Sequence, residues 1–312
     1  MTISVLRTAD AWWVHTATGA AKIPTAATTT GALLADRAAI EAAASDTTTV
    51  PVDSLDLLSP VTAPCRVVAQ MTNYASHVKD AGMEPASIPL TFFRKSSASI
   101  TGPSDAIVKP SHVRFLDYEV EIGLVIGTDI PVGSTIDESN LADYVAGLVV
   151  TNDVSARDIQ LPQTQFYEAK SYPTFTPVGP ALVLLTAAEL KRFGELRLQL
   201  RVNGELRQDM RVAGDMIYSP LQALQSLTRF QDLSAGDLVL TGTPVGTALS
   251  APHKMVAFIG SLLPPAVKWK AFFKSQARNP KYLHDGDIVE TAVATDDGAV
   301  DLGAQRNIVK YA

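Results

Sequence analysis

Asp117, Glu119 and Glu121, in the stretch FLDYEVEIGLVIG, are spaced like metal ligands. A strand sends alternate side chains to opposite faces, so in an extended segment these three share one face, and Tyr118, Val120 and Ile122 take the other. Carboxylates placed in this way repel one another, and a buried one must be paired, protonated or bound to a cation. Tyr144 to Thr151 reads as a second apolar strand, with Asp153 just past its end. Glu119, Glu121 and Asp153 would form an all-oxygen donor set, which suits Mg²⁺ or Mn²⁺ and does not suit zinc. Spacing alone leaves a plainer alternative open, that of surface carboxylates on a half-exposed strand.

A candidate base lies upstream. Arg66 to Met71 reads as a strand leading into Thr72-Asn73-Tyr74-Ala75-Ser76-His77-Val78-Lys79-Asp80. If that segment is helical, His77 and Asp80 are neighbours on one face. A carboxylate beside an imidazole fixes its tautomer and raises its basicity, as a general base requires. The alternative is an exposed helical ion pair. Nucleophilic serine chemistry finds no support, because no Gly-x-Ser-x-Gly elbow is present and Ser96, Ser97 and Ser99 read as turn residues. Further on, Gly242 permits close backbone approach and Thr243 offers a hydroxyl and an amide to a carboxylate, a plain turn being the alternative.

Taken in order, DYEVEIGLVIG, NDVSARDIQ, the Lys170-Ser171 pair and GDLVLTGTPVG resemble the fumarylacetoacetate hydrolase family, over most of the chain from about Pro64 onward. The resemblance implies that Glu119, Glu121 and Asp153 hold a Mg²⁺ or Mn²⁺ ion. It also implies that His77, oriented by Asp80, is the catalytic base and that Lys170 stabilises a developing enolate. Tyr74, Lys95, Arg157, Gln160 and Thr243 would contact the substrate. Two departures are visible. Asp80 stands where related acylpyruvate hydrolases and decarboxylases carry Glu, and Met71-Thr72 precede Asn73-Tyr74 where Gly-Leu is usual. Both bear on the substrate more than on the chemistry. The implied activity is hydrolysis of a carbon–carbon bond in a 1,3-dicarbonyl compound such as an acylpyruvate, of the kind met in aromatic catabolism. Decarboxylation of a 2-oxo acid such as oxaloacetate, or its dehydration or isomerisation, is the alternative, and a non-catalytic scaffold is a third.

The elements that must position these groups follow from the rest of the chain. Its 312 residues suffice for a large domain plus a small one, read here as residues 1–63 and 64–312. With 46% hydrophobic and 19% charged residues it can fill a core and carries no long disordered tract. The net charge of −6 offers no footprint for nucleic acid. Cys65 is the single cysteine, so no intrachain disulfide forms. The opening residues do not read as a signal peptide, and no apolar run is long enough to span a membrane, so a cytoplasmic protein is expected. Short strands punctuated by Gly and Pro point to a mainly β protein. The resemblance implies the α+β fold with a mixed β-roll that this family uses, usually as a homodimer. Val5 to Thr16 reads as a hairpin, Thr30 to Ala44 as helical and Asn203-Gly204 as a hairpin turn. Residues of about 247–284 form a long insertion containing a basic, aromatic segment, Val267 to Lys274, which resembles an interfacial helix; a helix packed on the body or on a dimer partner is the plainer reading, and a lid over the pocket a third.

Overall fold

The computed structural model describes residues 2–163, 166–249 and 264–312. The mainly β reading holds. Ten strands form one sheet, in the order Thr49–Val50, Gly19–Lys22, Trp12–Thr16, Ile3–Arg7, Leu182–Leu184, Val145–Asn152, Val120–Ile126, Leu238–Leu240, Val67–Gln70 and Phe92–Lys95. All neighbours are antiparallel except Leu238–Leu240 and Val67–Gln70, which run parallel. A five-stranded sheet (Glu205–Arg211, Leu196–Val202, Ile288–Thr295, Asp301–Tyr311, Ile107–Lys109) lies against it. The predicted turn at Asn203-Gly204 joins the first two of these strands, and both residues have positive φ (52° and 79°), as a tight hairpin of this hand requires.

The central strands are covered on both faces, which is why they read as continuous apolar runs rather than alternating ones. Val120, Ile122, Leu124, Leu148, Val150 and Val239 pack into one core cluster, with Leu198, Leu200, Val289 and Val293 of the second sheet. Val125, Val149, Leu238 and Leu240 turn the other way, into a cluster with Leu33 and Ile40. Those two residues come from a pair of short helices, Thr30–Ala35 and Arg37–Ala44, divided at Asp36. Residues 3–7 pair with residues 182–184, so the N-terminal strands extend the same sheet that carries the central ones.

The insertion is described from residue 264 onward. The helix Pro265–Gln276 stacks Phe273 on Phe115 at 5.5 Å, and Trp269 stacks on Phe273 at 5.7 Å. Residues 250–263 of the insertion lie outside the described residues. Among the described residues no helix is long and apolar enough to cross a membrane.

Close strand packing gives a stability test. A Cβ added to Gly147 would stand 2.2 Å from the Val183 carbonyl oxygen, a backbone atom that cannot swing aside. Gly147→Ala is expected to destabilise the protein by about 1–3 kcal/mol or more, measured as a lower midpoint of chemical denaturation.

Candidate active site

The site lies where the 120–126 and 145–152 strands end. The spacing argument expected Asp117, Glu119 and Glu121 on one unbroken strand, but the ladder begins at Val120. The short Leu116–Asp117 strand belongs to a different ladder, paired with Ser155–Ala156. Side-chain acceptors replace strand carbonyls across the break. The Glu119 N–H donates to Asn152 Oδ1 at 2.9 Å and the Val120 N–H to Gln208 Oε1 at 3.0 Å. Asp117 is thereby separated from the other two carboxylates. It accepts from Arg157 Nε at 2.8 Å and from the backbone N–H groups of Tyr118, Ala248 and Leu249.

Glu119, Glu121 and Asp153 do converge. All three are buried, and each offers an oxygen within 4.8 Å of the others. Among the described residues this is the one such group of three. Their surroundings are cationic. Lys170 Nζ donates to Glu119 Oε2 at 2.8 Å and to Asp153 Oδ2 at 2.6 Å, and Lys95 pairs with the other Asp153 oxygen. Arg157 Nη2 donates to Glu119 Oε1 at 2.6 Å and Nη1 to Gln160 Oε1 at 2.8 Å. Four carboxylates thus face three cations, and the deficit falls on Glu121. Burial, then the charges of Asp153 and Glu119, push its carboxyl well above the usual range, against the Gly242 N–H at 2.7 Å and Lys170. Burial acts in the same sense on Glu119, yet Lys170 and Arg157 overcome it and hold that carboxyl at about 2. Oxygen donors, burial and an uncompensated negative charge together fit a hard divalent cation.

A cavity of about 70 Å³ opens on this cluster, lined by Glu119, Glu121, Asp153, Arg157, Gln160, Lys170, Gly242, Thr243 and His77, and also by Gln70, Met71, Thr72, Phe93 and Phe166. The imidazole of His77 is pushed below its ordinary 6.5, mainly by burial, with Arg157 and Lys170 reinforcing and Glu119 opposing. It is therefore neutral near pH 7.

Of the residues expected at the site, Asp80 and Tyr74 do not line the cavity, while Lys95 and Thr243 are engaged by partners within the fold. Asp80 ends the short helix Ala75–Asp80, makes no hydrogen bond to His77 and does not line the cavity; His77 Nδ1 is buried without a partner. The helix is set instead by Asp215, which accepts from the Ser76 N–H (2.8 Å) and hydroxyl (2.5 Å), so its imidazole lies within the field of Glu119 and Lys170 rather than against its own neighbour. Tyr74 is fully buried in the core and does not line the cavity. Lys95 is spent on Asp153 and the Phe175 carbonyl (3.0 Å). The Thr243 hydroxyl donates to the Val120 carbonyl and accepts from Gln208 Nε2, both at 2.9 Å, so it braces the strand end. Gln70, Asp215 and the bracing role of Gln208 were not anticipated. Gln70 did carry a signal, as the one polar residue in the buried run Val67–Gln70.

The profile of the fumarylacetoacetate (FAA) hydrolase C-terminal family matches residues 66–310. The chain is 35% identical over 201 residues to a mitochondrial oxaloacetate tautomerase, Fahd2a, of Rattus norvegicus, an overlap of 64% of this chain and 62% of that protein. The chain therefore spans just under two thirds of this relative's length. Two solved structures are similar over the whole chain. A probable 2-hydroxyhepta-2,4-diene-1,7-dioate isomerase from Mycobacterium abscessus superposes with a TM-score of 0.74 at 31% identity, covering 100% of this chain and 99% of that one. A fumarylacetoacetate hydrolase from Exiguobacterium antarcticum gives 0.69 at 26% identity, covering 100% of both chains.

The Glu121 carboxyl supplies a test. Because burial and the neighbouring carboxylates raise the Glu121 pKa and a bound cation would lower it, Mn²⁺ binding is expected to release protons. Calorimetry in buffers of different ionisation enthalpy measures this. Glu121→Gln should abolish the release and weaken binding by ~10-fold or more, and a wild type that releases no proton would contradict the raised Glu121 pKa.

Proposed function

The chain belongs to the fumarylacetoacetate hydrolase family, and on that premise we propose a divalent-metal-dependent enzyme that forms and reprotonates the enolate of a small anionic 2-oxo acid or 1,3-dicarbonyl compound. Tautomerisation or double-bond isomerisation is the reaction that this reading favours. One observation carries it: a neutral, buried His77 shares a small cavity with two cations, Arg157 and Lys170, and three convergent carboxylates, and no acid among the described residues is hydrogen-bonded to its Nδ1.

A divalent ion held by Glu119, Glu121 and Asp153 would supply Lewis acidity, withdrawing electron density from a carbonyl and making the adjacent C–H acidic. A dication also turns the local charge from negative to positive, which favours an anionic substrate. His77, uncharged, accepts the proton from carbon and returns it at the far end of the enolate. Arg157 and Lys170 are fixed by their ion pairs before substrate arrives, so their positive field costs no reorganisation as negative charge develops on oxygen. Gln160 has given its oxygen to Arg157 and keeps its amide N–H₂ to donate to the substrate carboxylate.

Hydrolytic carbon–carbon cleavage is the second reading, supported by the likeness to the Exiguobacterium hydrolase. It needs, in addition, a water held against the base, and the Asp80–His77 contact that would arrange one is not formed. Decarboxylation proceeds through the same enolate and differs in the bond broken.

With Mg²⁺ or Mn²⁺ added to stripped protein, oxaloacetate is expected to lose its enol absorbance without release of CO₂, and acylpyruvates to yield no acid pair. Acid pairs would establish the hydrolase instead. His77→Gln should lower kcat by about 10²–10⁴-fold, while Asp80→Asn leaves it nearly unchanged. Because burial lowers the His77 pKa, activity should fall with acidity only below the ordinary value of 6.5; an acidic limb of the kcat profile above it would remove His77 as the base.

A further inference from the structure

Every charged group in the cavity already has a partner. Lys170 and Arg157 hold Glu119, the two lysines hold Asp153, and the Gly242 N–H holds Glu121. Apart from the His77 Nδ1, Gln70 is the buried polar side chain lining it that has no partner among the described residues. It ends the Val67–Gln70 strand and is 2% exposed, yet neither its amide nitrogen nor its amide oxygen has a hydrogen-bond partner among the described residues. Strand alternation explains its direction. Val67 and Ala69 pack into the cluster beneath the sheet, whereas Val68 and Gln70 turn to the side that holds the cavity.

The position is rigid. Pairing with Phe92 fixes Gln70 from one side. Two residues on, Thr72 has a φ of +54°, unusual for a residue with a side chain. Asn73 then pins the chain by donating to the carbonyls of Tyr218 (3.0 Å) and Thr241 (2.9 Å) and accepting from the Tyr218 N–H (2.8 Å). A buried amide that satisfies nothing in the fold is a desolvation cost without structural return. Held by a stiff backbone at a cavity wall, it is set to be satisfied by what enters.

We propose that Gln70 is a specificity-determining residue that recognises an oxygen substituent of the substrate beyond its 2-oxo acid end, a hydroxyl, enol or carbonyl. This rests on the enolate-forming reading above. An amide offers two donors and an acceptor, so a hydroxyl or enol satisfies both of its ends. An apolar group in that place would displace water from the cavity and leave the amide unpaired, and is rejected for that reason.

The test uses two stable probes of equal charge and nearly equal size, hydroxypyruvate and 2-oxobutyrate, which differ by a hydroxyl in place of a methyl. Calorimetric titration of the Mg²⁺-loaded wild type should show hydroxypyruvate bound ~10-fold more tightly or better. In Gln70→Met, which keeps the volume and removes the amide, the preference should fall to within about twofold, with Mn²⁺ affinity unchanged and a melting temperature no lower than wild type. Gln70→Leu serves as the second variant. A preference retained in both variants overturns the assignment, and so does a lowered melting temperature with weakened metal binding, which would make Gln70 structural. Equal binding of the two probes by the wild type overturns this assignment alone. Binding of neither probe by the metal-loaded wild type overturns the function proposed above, and the assignment with it.

Discussion

Seven ionised or ionisable side chains are buried together at one end of a sheet: Asp117, Glu119, Asp153, Lys95, Arg157 and Lys170, joined by ion pairs, and Glu121, within 4.8 Å of Glu119 and Asp153. Such burial is tolerable only if each charge is compensated, since removing one partner of a buried pair costs on the order of 3–5 kcal/mol. Each cation except Lys95 bridges two carboxylates, so the cluster behaves as a network rather than as separate pairs. Its one imbalance, a missing positive charge, is concentrated on Glu121. The electrostatics that hold this end of the fold together and those that would hold a metal ion are therefore the same interactions.

The sheet provides the other half of the arrangement. Its central strands are buried on both faces, so their ends are fixed by packing on two sides. At those ends side chains take over from the ladder. Asn152 and Gln208 accept the N–H groups that the strand break leaves free, and Thr243 donates to Val120. Polar residues that do no chemistry thus define where the carboxylates stand. Asn73 and Asp215 perform the same service for the segment that carries His77 and Gln70.

The convergence of Glu119, Glu121 and Asp153 was legible because period-two spacing and a strand-end aspartate are local patterns. Arg157, Gln160 and Lys170 were reached through ordered motifs, and they line the same cavity. Where the reading failed, a distant contact outweighed a local rule. The i,i+3 relation of His77 to Asp80 holds on the helix, but Asp215, 139 residues from Ser76, sets how that helix sits. Lys95 was placed at the substrate because its neighbourhood is right; nothing nearby in sequence announces that Asp153 and the Phe175 carbonyl take two of its three donors. Gln70 was passed over because a single polar residue in an apolar run carries no motif. Its meaning appears only when the partners it lacks can be counted.

Asp117 has a consequence of another kind. It accepts the N–H groups of Ala248 and Leu249 and, with the same carboxylate, the guanidinium of Arg157. Those two amides belong to the residues from which the chain departs into the long insertion. Arg157 in turn reaches Glu119 and Gln160. The course of the chain at Ala248 and Leu249 and the field inside the cavity are therefore not independent variables. A loop graft between relatives at this point would transplant part of the active-site electrostatics with it, so in this scaffold insertions can retune chemistry without altering any residue that meets the substrate.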